Sequence, residues 1–197
     1  MLSKINKHFF PDIEDVDQNF IYLSGEITIE SCAATVESIL AMNMPRQTVM
    51  EDGLVAEVEL PDVINLFVTS VGGDMTAAFG LIAVMRGSDI PIRTIALGEA
   101  SSAGLAILMA GHQRVVTPYT SLMSHTFSSG TEGTYDDLET SMKAFRAYKA
   151  KMVQFYKEFT GLDEKFINKT LLSHNDHHFD GEAALKYNIV DLISDLS

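Results

Sequence analysis

The sequence predicts an α/β fold with a largely parallel sheet, and two observations carry that expectation. Twice in the middle of the chain a nearly continuous apolar stretch, 63–69 and 90–97, runs into a short turn rich in Gly and Ser and then into a segment of helical apolar spacing. Strands that are apolar on both faces belong in a sheet covered by helices on both sides, the usual setting of parallel strands.

The elements follow in chain order. A short β-branched and aromatic stretch, 20–23, reads as the first strand, and 29–42, with Ile29, Ala33, Val36, Ile39 and Leu40 at helical spacing, as the first helix. Segment 43–62 carries charges, two prolines and a glycine, so it reads as a surface excursion whose alternating part, 54–60, is a hairpin arm. The strand over 63–69 is followed by Ser70-Val71-Gly72-Gly73-Asp74 and a helix over 75–86. The strand over 90–97 is followed by Gly98-Glu99-Ala100-Ser101-Ser102-Ala103-Gly104 and a helix reaching Ala110. A second strand then leads through the short apolar segment 121–124 to His125.

The longest helix candidate spans 135–159, with apolar residues at 138, 142, 145, 152, 156 and 159. At 1.5 Å per residue it would reach roughly 40 Å, about the width of a domain this size. Tyr148, Val153 and Phe155 lie off that stripe, which fits either a helix packed on a partner as well as on its own core or an ordinary core helix with scattered surface aromatics.

Composition bounds the class. With 197 residues, 46% hydrophobic and 21% charged, the chain is expected to form one domain over 1–197 around one sizeable core, with 1–19 as an N-terminal segment. Lys plus Arg number 14 against 27 Asp plus Glu, a formal net charge of −13 that disfavours nucleic acid and anionic membrane surfaces as partners. The lone Cys32 lies in an apolar-periodic stretch and reads as a small buried hydrophobe. The first twenty residues lack the apolar core of a signal peptide, and the longest apolar run, 103–110, is far below the ~20 residues of a membrane helix. A cytoplasmic location is expected.

The chemistry is concentrated at the two turns. A serine hydroxyl is a poor nucleophile unless a base stands within hydrogen-bond reach, and Ser102 lies at a strand-to-helix turn followed by the small residues Ala103 and Gly104. Ser101 is its rival, and helix N-capping is the ordinary role for a serine so placed. The glycine pair Gly72-Gly73 ends the preceding strand-turn-helix unit. Equivalent ends of neighbouring parallel strands sit side by side, so the amides of Gly73 and Ala103 are candidates to converge on one oxyanion.

Of six histidines, His8 and His112 have structural readings, whereas His125 is placed at a strand end, where it is either a base or a satisfied buried histidine. His174, His177 and His178 share helical spacing, but no cysteine or second ligand set accompanies them, so no metal or other cofactor is expected. A carboxylate from this segment is better used to hold a histidine in one tautomer.

These motifs resemble the ClpP family, the proteolytic subunits of the Clp ATP-dependent protease. The resemblance is carried by Ser70-Val71-Gly72-Gly73, by Gly98 to Gly104 with Leu108-Met109-Ala110-Gly111, by Met123-Ser124-His125, and by Ala184 with Tyr187 and Asp191. It covers residues 20–193, with an excursion at 43–62 longer than usual. It implies Ser102 rather than Ser101 as nucleophile, His125 as base, and Gly73 and Ala103 as oxyanion donors. For the third member, the register that matches most positions lands on Asp176, with Asn175 and Asp180 as close competitors.

The resemblance further implies a crotonase-like β/α spiral and a serine endopeptidase acting on peptides and unfolded proteins. The implied assembly is a homo-oligomeric chamber, a heptameric ring or two stacked rings, with the protruding helix 135–160 making ring contacts and an AAA+ unfoldase as partner. The chain order Ser, His, Asp differs from those of chymotrypsin, subtilisin and the α/β-hydrolases. Ser-Val-Gly-Gly stands where the family has Ser-Pro-Gly-Gly, His125-Thr126-Phe127 where it has His-Gln-Pro, and Asn175 where an Arg commonly precedes the aspartate. Three alternatives are a non-proteolytic acyl-CoA enzyme of the crotonase superfamily, a catalytically impaired ring subunit, and a related peptidase with another task, such as signal-peptide degradation or capsid processing.

Overall fold

A computed structural model describes residues 19–49, 54–128, 130 and 132–195. The expected N-terminal segment and His8 therefore lie outside the described residues, apart from Asn19 at the segment's end. The chain folds as β1 (Phe20–Ile27), α1 (Ile29–Asn43), β2 (Arg46–Val49), β3 (Val55–Val58), β4 (Ile64–Gly73), α2 (Met75–Arg86), β5 (Ile92–Ser101), α3 (Ala103–Met109), β6 (Gln113–Val116), β7 (Ser121–Ser124), α4 (Tyr135–Thr160), α5 (Glu164–Phe166), a π-helical turn (Ile167–Leu171), β8 (His177–Phe179), α6 (Gly181–Lys186) and β9 (Leu192–Ile193). This is the expected α/β architecture. The main sheet runs β1-β4-β5-β6-β9, with β7 joined to β5 and to β8, and among the described residues β7/β8 is its only antiparallel pair.

Local signals explain the helix boundaries. Thr28 and Ser31 form a reciprocal capping box at the start of α1, Asp74 accepts the amides of Thr76 and Ala77 at the start of α2, and Thr134 pairs with Asp137 at the start of α4. Leu66, Val68, Ile92 and Ala96 of the central strands are fully buried against Leu81 and Met85 of α2 and Leu105, Ile107 and Leu108 of α3. Strands enclosed in this way read as continuous apolar runs.

Two expectations changed in extent. The strands run on past their apolar stretches, β4 to Gly73 and β5 to Ser101, so both functional turns lie at strand ends. The excursion holds a separate two-stranded ribbon, β2 with β3. In α4 the off-stripe residues are used within this chain. Val153 and Phe155 are buried in the core, and Tyr148 packs edge-on against Phe127 and Phe79. The exposed apolar residues of α4 are instead Tyr135, Leu138 and Met142 near its start.

The division of β5 positions the site. Its first part, Arg93 to Ala96, pairs with β6, and its last part, Glu99 to Ser101, pairs with β7 in the register Ser101 to Met123. The ladder then continues one step further, with Ser102 N–H donating to Met123 O at 2.9 Å. His125, two residues beyond Met123, is thereby delivered beside Ser102.

Candidate active site

Ser102 has φ 52 and ψ −116, a conformation costly for a residue with a Cβ. It stands at the N-cap position of α3 yet makes no side-chain capping bond. Its Oγ lies 2.8 Å from His125 Nε2. Ser101 is buried and donates its hydroxyl to Glu99 Oε1 at 2.8 Å, so of the two serines only Ser102 faces an imidazole.

On the other side of the ring, His125 Nδ1 lies 3.2 Å from Asp176 Oδ1. The imidazole is about a quarter exposed and the carboxylate about half. The competing positions make other contacts. Asp180 caps α6 through Ala183 N–H, and the carbonyl of exposed Asn175 accepts the Ser173 hydroxyl at 2.8 Å.

The glycine pair supports the turn by close approach. A Cβ at Gly72 would stand 2.7 Å from Ser102 Cβ and 2.8 Å from Ser101 O, and one at Gly73 would run into the carbonyl of Ile27. Both glycines have positive φ, 100 and 146. Asp74 N–H turns toward β1 and donates to Ile27 O at 2.7 Å. Ala103 begins α3, where an amide has no intrahelical acceptor.

Gly73, Ser102 and His125 border one cavity of about 250 Å3, walled by Val71, Met75, Met123, Phe127, Met152 and Tyr156. Two of the departures from the family motifs, Val71 and Phe127, are therefore cavity-wall residues. Phe127 is held by edge-on contacts with Phe145 and Tyr148 of α4. The wall is apolar and rich in unbranched thioether side chains, which adapt to irregular shapes.

The other candidates fall elsewhere. His177 and His178 lie on a strand, where successive side chains point to opposite faces, so the helical spacing of the His174, His177 and His178 cluster is not realised. His177 stacks on Phe179, and among the described residues no group of three His, Cys, Asp or Glu has a metal-binding arrangement. His112 Nδ1 accepts the Ile92 amide at 3.1 Å, a structural role. Burial pushes the Cys32 thiol above its ordinary value.

Sequence reasoning missed the support behind the histidine. Tyr156 is buried, and its hydroxyl bonds Ser124, the residue before His125. The signal was a tyrosine on the buried stripe of α4, since a buried phenol needs a polar partner.

With this geometry in place, comparison with known proteins gives the relationship. The sequence profile of the Clp protease family matches residues 16–196. Over 167 residues the chain is 28% identical to the ATP-dependent Clp protease proteolytic subunit of Deinococcus radiodurans, covering 81% of each sequence. Among the described residues no helix is long and apolar enough to cross a membrane.

Proposed function

The chain belongs to the Clp protease family, and on that premise we propose that it is a serine endopeptidase in which Ser102 is the nucleophile, His125 the base and Asp176 the carboxylate that orients it. The observation that carries this reading is the pair of contacts made by one imidazole, 2.8 Å from Ser102 Oγ and 3.2 Å from Asp176 Oδ1. A base must reach the proton it removes and must itself be held in one tautomer, and a single ring here meets both conditions.

In the proposed reaction Ser102 Oγ attacks the carbonyl carbon of a peptide bond while His125 Nε2 takes the hydroxyl proton. The amides of Gly73 and Ala103 donate to the oxyanion of the tetrahedral intermediate. Asp176 accepts from His125 Nδ1–H and stabilises the imidazolium. His125 then protonates the leaving amine, and water clears the acyl-enzyme by the same steps. The apolar cavity receives a hydrophobic side chain next to the cleaved bond, and the backbone on either side of the Phe127–Gly133 region is the place for an extended peptide to pair as a strand. The substrates are peptides and unfolded chains, handled inside a cytoplasmic homo-oligomeric ring or pair of rings. The exposed start of α4 is offered for ring contacts, and an AAA+ unfoldase for substrate delivery.

The test is labelling and turnover together. An organophosphonate probe should modify Ser102, located by mass spectrometry, and Ser102→Ala should lower cleavage of a fluorogenic peptide by about 10⁶-fold while leaving the melting temperature unchanged. Cleavage by Ser102→Ala at the wild-type rate would overturn the assignment. A wild-type protein that resists the probe and instead turns over an acyl-CoA thioester would move it to the other branch of the fold.

A further inference from the structure

The geometry points to Tyr156 as a positioning residue for this reaction: its hydroxyl, through Ser124, sets the strand end that carries His125 against the segment that carries Asp176. The inference rests on the peptidase reading for its kinetic consequence, but its structural content does not.

Ser124 is fully buried and ends β7 immediately before His125. Its Oγ lies 2.7 Å from Tyr156 Oη and 2.6 Å from the carbonyl of Leu171. A serine hydroxyl has one proton and Leu171 O can only accept, so Ser124 donates to Leu171 and Tyr156 must donate to Ser124. The direction of the relay is therefore fixed. Burial pushes the Tyr156 hydroxyl up to about 12, so it remains a donor at any working pH.

The relay ties three elements together, in addition to the β7/β8 ladder that sets Ser124 opposite His177. Tyr156 lies on α4, Ser124 on β7, and Leu171 closes the π-helical turn, where the last carbonyls lack helical partners. Five residues beyond Leu171 comes Asp176, and in between Ser173 O accepts the Thr126 amide at 3.0 Å. His125, just past the end of β7, is thus bracketed by Ser124 and Thr126, both tied to the stretch leading to Asp176. The contact between imidazole and carboxylate is partly exposed, and its distance depends on that bracket together with the pairing of Ser124 and His177 across β7 and β8. Misplacement of a catalytic group by a fraction of an ångström is costly in rate.

Tyr156→Phe removes the hydroxyl and keeps the ring that walls the cavity. Ser124 can still donate to Leu171, so the variant should fold. We expect kcat for a fluorogenic peptide to fall about tenfold with KM within twofold, and the rate of phosphonate labelling at Ser102 to fall by the same factor. In the proton NMR spectrum, the low-field resonance of His125 Nδ1–H, assigned by its loss in Asp176→Asn, should shift or broaden. Ser124→Ala, which loses the Leu171 bond as well as the Tyr156 bond, should lower kcat at least as far, and adding Tyr156→Phe to it should cost little more, because the bond between the two hydroxyls is already gone.

Unchanged kcat and an unmoved resonance in Tyr156→Phe, with only a lower melting temperature, would overturn the proposal, as would fully multiplicative losses in the double variant. An unchanged kcat with raised KM would do the same, marking Tyr156 as a substrate contact instead. If the wild-type protein neither cleaves peptide nor takes the probe, the peptidase reading fails, and the resonance alone still decides whether Tyr156 holds His125.

Discussion

Asp191 and Asp176 each stand against a basic side chain, and the two pairs are built in opposite ways. Arg114 is buried, and its guanidinium bonds both oxygens of Asp191, the carbonyls of Phe159 and Asn188, and the Asn188 side chain. The backbone of Arg114 adds a further bond to Asp191. His125 and Asp176 share one contact at 3.2 Å, with the carboxylate about half exposed. The first pair is over-determined: it locks β6 to the end of α4 and to the turn between α6 and β9. The second is open to solvent, and the residues on either side of His125 bond the segment leading to Asp176, Ser124 to Leu171 O and Thr126 to Ser173 O. Under the proposed peptidase reading such a pair needs one ring nitrogen turned to the nucleophile and access for substrate, so its precision would come from neighbours that take no part in the chemistry.

Exchanging the two carboxylates for amides should separate these roles. Asp176→Asn should lower kcat/KM for peptide by about 10²- to 10³-fold, less than the roughly 10⁴-fold seen where such a carboxylate is fully buried. Its unfolding free energy, from denaturant titration, should stay within about 0.5 kcal/mol of the parent. Asp191→Asn should do the reverse. Leaving the buried Arg114 without its counter-charge should cost about 3 kcal/mol of stability, while the folded fraction keeps near-normal turnover. If Asp191→Asn abolished activity without loss of stability, the contrast drawn here would be wrong.

A smaller effect sharpens the same contrast. Burial raises the Asp191 carboxyl, but the Arg114 hydrogen bonds and charge outweigh it and hold the group below the ordinary carboxylate value. The unfolded chain therefore takes up the proton first as pH falls. The stability from this pair is fully present above the unfolded value near pH 4 and is lost as pH drops through the lower folded value. Melting temperature measured between about pH 5 and pH 2 should fall more steeply for the parent than for Asp191→Asn.

At the alkaline end Tyr156 behaves in the opposite sense. The unfolded phenol ionises near 10 and the folded one at about 12, so stability is lost as pH rises through that window, and Tyr156→Phe should remove this part of the loss. An identical alkaline profile in that variant would show that the phenol is not buried as described.

Much of the site was legible before any coordinates because its parts are local. A glycine pair ending one apolar strand, a serine ending the next and a histidine ending a third are patterns of a few residues each, and hydrophobic periodicity placed them in an α/β sheet. The order of the motifs then carried the family resemblance. The choice between Ser101 and Ser102 was open from the residues alone, because either could have capped the helix. Coordinates show one hydroxyl turned to Glu99 and the other to His125.

What only the tertiary structure decided is how distant segments meet. The forked pairing of β5 puts Met123 beside Ser101, the turn after the π-helical segment brings Asp176 rather than Asn175 or Asp180 to the imidazole, and Tyr156 reaches Ser124 across 32 positions. Such contacts depend on how whole elements pack and on where each buried polar group finds its partner. Residue type and spacing set the period and the ends of an element, but the partner of a buried hydroxyl is chosen by the fold that encloses it.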